Sequence, residues 1–110
     1  MRLRDSLCIP YILAAEPLEL GDGQWTRKLS YPELSGCSAQ SLDVETALVD
    51  LERQRFAGIL KRLRAGDPPP IPRRPLDTID PAWLAGVLGV ADLVAGYLDM
   101  DAAELAAHRS

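Results

Sequence analysis

The chain has 110 residues, with one histidine, His108, and two cysteines, Cys8 and Cys37. A lone histidine near the end, with no cysteine or carboxylate grouped around it, makes neither a metal site nor a nucleophile and base pair, and no role is assigned to it. Two cysteines so far apart do not describe a disulfide framework, and nothing supplies zinc spacing, so a reduced, cytoplasmic setting is expected. Cys37 follows Gly36 with only a helix N-terminus several residues away as a weak activator, which favours a small buried thiol over a reactive one. Long apolar runs are missing too. The longest nearly uncharged stretch, Pro81 to Ala91, is too short to span a bilayer, and Met1-Arg2-Leu3-Arg4-Asp5 lacks the apolar region of a leader, so neither secretion nor a membrane anchor is expected. Glu33 and Asp43 have no partner base at helical or strand spacing, and Gly21-Asp22-Gly23 is not followed by a helix start carrying lysine. Neither an enzyme nor a cofactor site is expected.

What the chain does have is 47% hydrophobic and 25% charged residues, enough for one modest soluble core. The net charge of −4 is unevenly placed. Residues 1–75 carry 11 basic and 10 acidic side chains, whereas residues 76–110 carry Arg109 against Asp77, Asp80, Asp92, Asp99, Asp101 and Glu104. Such a tail repels phosphate.

The organising stretch is Tyr31 to Leu51. Pro32 ends a strand, Ser35-Gly36 turns the chain, Cys37 opens a short strand to Gln40, and from Val44 the apolar period becomes helical. Upstream, Pro10 and Pro17 suit an edge strand, read near Tyr11–Glu16. Gly21-Asp22-Gly23 then turns a hairpin into a second strand, Gln24–Tyr31. Asp43 is placed to cap a helix from Val44 to about Ala65, with Val44, Leu48, Leu51, Ile59 and Leu63 on its inward side and Phe56 at the margin. Glu52 and Arg55 intrude at i,i+3 spacing and are read as a partly buried ion pair or snorkelling stems. Asp67 to Pro75 must be extended and is expected to lay Ile71 against the sheet as a rigid connector.

Asp80-Pro81 starts a last helical region. Its glycines allow either two short helices or one that breaks near Gly89. Leu84 to Leu98 has some of the apolar and turn positions of a helix-turn-helix, but the spacing after Gly89 is one residue short. The second helix also offers no arginine, lysine, asparagine or glutamine for bases or phosphates, so DNA is not an expected partner. Trp83, Leu84, Val87, Leu88, Val94 and Tyr97 form an apolar surplus expected at a homo-oligomer interface. The implied organisation is an α+β domain over residues 1–75, with a sheet of three to four antiparallel strands under one long helix, followed by an oligomerising helical segment over 76–110.

Tyr31-Pro32-Glu33-Leu34, Gly36-Cys37, the helix containing Leu48, and Gly66-Asp67 followed by Ile71-Pro72 together resemble the HicB family of antitoxins over about residues 10–75. Ser35, Ser41, Asp43 and Thr46 depart from the family pattern, and Asp43 preserves the cap. The resemblance implies a partial RNase H-like domain without the nuclease carboxylates. It would bind and inhibit a small basic RNase toxin of the HicA kind, with little or no DNA binding here. The implied contact set is Trp25, Arg27, Tyr31, Glu33 and Leu34, with Pro32, Gly36 and Cys37 shaping the turn. The alternative is an orphan module of the same fold that homo-oligomerises and binds another protein.

Overall fold

The computed structural model describes residues 1–107, and His108 lies outside them. It has the expected α+β arrangement. Strands β1 (Ala14–Glu19), β2 (Trp25–Ser30) and β3 (Ser38–Ser41) form an antiparallel sheet in that order, and helix α2 (Val44–Arg64) packs on β2 and β3. A short α1 (Leu3–Ser6) precedes the sheet, and α3 (Pro81–Leu88), α4 (Ala91–Val94) and α5 (Ala102–Ala107) follow α2. No helix among the described residues is long and apolar enough to cross a membrane.

The hairpin closes where Leu20 N–H donates to the Gln24 carbonyl at 2.6 Å, and the ladder runs back from Glu19↔Trp25 to Ala14↔Ser30. Strand β1 therefore lies later than the expected Tyr11–Glu16, because pairing propagates from the turn. Ile12 stays outside the ladder, its N–H donating to the Glu33 carboxylate at 2.8 Å. In the central turn Leu34 N–H donates to the Tyr31 carbonyl at 2.9 Å, and Gly36 adopts φ 90°, a conformation open to glycine at little cost. Strand β3 then starts at Ser38, one residue beyond the expected Cys37.

Asp43 caps α2: one carboxylate oxygen accepts from Glu45 N–H at 3.2 Å and the other from the Thr46 hydroxyl at 2.7 Å. Below the cap, Ala47, Leu51, Phe56, Ile59, Leu60 and Leu63 are buried, as is Arg55. Val44 and Leu48, expected on the inward side, are exposed. Their spacing does align them with Leu51 and Arg55, but in the first turns of α2 the buried side runs through Ala47 and Leu51, which leaves Val44 and Leu48 beside it with the exposed Glu45 and Thr46.

One hydrophobic cluster joins Leu3, Leu7, Leu29 and Phe56 to Leu88, Val94 and Leu105. The change in composition near residue 75 is thus not a break in the core. Leu3 and Leu7 are fully buried, and Leu3 and Arg4 donate their N–H groups to the Met100 and Leu98 carbonyls, both at 2.9 Å. In the proline segment, Pro69 takes the buried place, Tyr11 donates its hydroxyl to the Pro70 carbonyl at 2.8 Å, and Ile71 points outward, contrary to expectation. An extended backbone without partners of its own seats only the side chains its anchors select. Asp80 accepts from Ala82 N–H at 3.0 Å to start α3, and Gly89 at φ 75° ends it, so the region is two short helices.

Candidate partner-binding site

The ladders fix which backbone groups of the sheet are spare. Leu20 bonds to Gln24, so by antiparallel alternation Thr26, Lys28 and Ser30 face β1, while Trp25, Arg27 and Leu29 face β3. Strand β3 pairs only with Arg27 to Ser30, leaving Trp25 with no residue opposite on that side. The outer edges are obstructed in two different ways. At Ser38 on β3, the Gln54 side-chain amide accepts from N–H at 3.0 Å and donates to C=O at 2.8 Å, standing in for a neighbouring strand. On β1, Pro17 occupies an outward-facing position and has no N–H to offer.

Where β3 stops short, Pro17, Trp25, Thr26, Arg27 and Leu42 enclose an open groove of about 320 Å³. Trp25 is 59% exposed and Leu42 64% exposed. Arg27 is in no ion pair among the described residues. The Thr26 hydroxyl is buried and has no hydrogen-bond partner there. The groove thus combines an aromatic plate, two further apolar walls and a free cation, while the Thr26 hydroxyl is closed off by burial. The arrangement can seat an apolar side chain against Trp25 with an acceptor on Arg27.

Of the expected contact residues, only Trp25 and Arg27 meet here. Leu34 is 1% exposed and lies in the core with Tyr31, so neither presents a contact surface. Glu33 is committed to Arg73 at 2.8 Å and to Ile12 N–H, and the Arg73 hydrogen bond holds its carboxyl below the usual range. Pro32 and Gly36 are exposed on the turn, while Cys37 is buried and its thiol is pushed up by that burial.

Tyr31 instead belongs to a buried polar tie. Arg55, 6% exposed, donates to both oxygens of Glu52 at 3.0 and 2.8 Å and to the Leu7 carbonyl at 2.6 Å, and Tyr31 donates its hydroxyl to Glu52. This is the expected ion pair, and it joins α2 to the sheet exit and the N-terminal segment. Burial pushes the Glu52 carboxyl up, but the Arg55 guanidinium and the Tyr31 hydroxyl more than offset it and hold it below the ordinary range. Burial and the bond to Glu52 push the Tyr31 hydroxyl up. The adjoining cavity of about 170 Å³ is small for an organic ligand, so the tie is structural.

The expected oligomer set divides as well. Leu88 and Val94 are core residues, Leu84 and Tyr97 are half-buried against the core, and only Trp83 and Val87 face outward. The apolar surplus of the last segment is spent mainly on the chain's own core, so Leu88→Ala tests stability rather than assembly. Sequence periodicity missed Thr26, Pro17 and Leu42 as neighbours of Trp25, because the place where β3 stops depends on how the turn at Gly36 sets the register. Comparison with family models, with curated proteins and with solved structures returns no match.

Proposed function

We propose that the chain is a non-catalytic, antitoxin-like inhibitor that holds a small basic RNase partner at the groove formed by Pro17, Trp25, Arg27 and Leu42. The observation carrying this reading is the exposed Trp25 at an unfinished end of the sheet, beside an Arg27 that is in no ion pair among the described residues. A buried aromatic anchor with a polar contact beside it is the usual energetic centre of a protein interface. The sheet under one long helix is the arrangement that the resemblance of Tyr31 to Cys37 and Gly66 to Pro72 to the HicB family implies. The groove lies on the sheet itself, so docking there could cover a nuclease surface without chemistry from the inhibitor.

Affinity purification of the tagged chain from its own cells, with and without nuclease treatment, tests this. A stoichiometric small basic protein that is lost with Trp25→Ala, and whose RNase activity the wild-type chain suppresses, is the expected result. Recovery of the chain alone as a defined homo-oligomer would replace this reading with the orphan-module alternative.

A further inference from the structure

Helix α3 presents a second unpartnered surface. Trp83 and Val87, one turn apart, are 68% and 61% exposed, and Ala82 and Gly86 beside them are exposed too. The opposite side of the helix is sealed by Ala85 and Leu88 in the core, and Arg53 fastens its end by donating to the Leu88 carbonyl at 2.6 Å. The ridge is therefore held rigidly, which lowers the ordering cost of binding. The charge of its own segment is one-sided, and Arg53 is the cation that reaches the end of α3 from α2. Residues 76–107 contain six carboxylates and no lysine or arginine. Asp80, the cap one turn before Trp83, and Asp77 and Asp92 on either side of α3 make no ion pair among the described residues.

We infer that the Trp83–Val87 ridge docks a basic amphipathic segment of a partner protein, with apolar side chains on the ridge and lysine or arginine beside Asp77, Asp80 and Asp92. Charge selects this occupant. A nucleic acid or an anionic membrane would meet the unpaired Asp77, Asp80 and Asp92 with only Arg53, already bound to the Leu88 carbonyl and near Asp50, to offset them, and a second copy packed α3 on α3 would set the same three carboxylates against the first three. A cationic segment alone gains from both the ridge and its rim. The inference stands whatever occupies the Trp25 groove.

The test titrates a synthetic helical leucine–lysine peptide into the full chain carrying Trp25→Phe, so that Trp83 is the sole fluorescent tryptophan. Docking on the ridge predicts a blue shift of Trp83 emission, weaker binding in high salt, and a loss of affinity of at least about tenfold in Val87→Glu. That variant adds a carboxylate, so attraction to the acidic surface alone would leave binding unchanged or tighten it and would overturn the proposal. An unshifted emission, or peptide binding in the otherwise native chain that is lost with Trp25→Ala but kept with Val87→Glu, would also overturn it. So would self-association of the chain that Val87→Glu abolishes. An unchanged melting temperature in Val87→Glu, expected at so exposed a site, keeps these outcomes separate from misfolding.

Discussion

Residues Trp25, Arg27, Leu29 and Tyr31 share one side of the same strand direction, yet they divide into two regions. Leu29 and Tyr31 are buried, whereas Trp25 and Arg27 are exposed. The period of two is identical at both ends, so what separates them is coverage. Leu29 lies opposite Ala39 in the middle of β3 where α2 packs on both strands, whereas Arg27 meets the last residue of β3, Ser41, and Trp25 lies beyond it. Alternation says which way a side chain faces, and only the layer above decides whether that direction is inside.

The sharpest way to break the covered region is through its polar tie. Arg55→Met leaves the Glu52 carboxylate buried without its cation and is expected to cost about 3–5 kcal/mol in urea unfolding. Leu34→Ala comes next, at about 2–5 kcal/mol, while Trp25→Ala at the open end stays within about 0.5 kcal/mol. Comparable losses for the two would erase the distinction between the regions. Gly36→Ala forces a side chain to φ 90° and is expected to lose about 1–2 kcal/mol by thermal melting.

The tie also sets a pH dependence. The Glu52 carboxyl lies lower in the folded chain than in the unfolded one, so its contribution is complete above the unfolded value, about 4.3, and falls away as pH drops through the folded value. Melting curves of Glu52→Gln should accordingly show a shallower acid loss than wild type below about pH 4.3. Identical slopes would remove Glu52 from the acid response.

Much of this architecture was legible in residue types. Asp43 and Asp80 announce helix starts because their carboxylates meet orphan amides, Gly36 and Gly89 occupy positive φ, and Pro17 sits on an edge strand. The Glu52–Arg55 pair was readable from its spacing on α2. Strand limits were less so, since β1 is placed by where the hairpin closes rather than by its own composition. The candidate groove was half legible: Trp25 and Arg27 stand in one alternating run, but Pro17 comes from the neighbouring strand β1 and Leu42 from just past the end of β3.

By itself, then, the sequence determined the α+β class, the caps, the turns and the i,i+3 placement of Glu52 and Arg55, all of which depend on residues close together in the chain. Tertiary structure alone decided that Val44 and Leu48 stay outside, that Leu88 and Val94 serve the core rather than an assembly face, and that Trp25 lies open while Tyr31 is sealed. Those outcomes depend on where separate elements end against one another. Burial is a property of the layer that covers a residue, and no local pattern carries it.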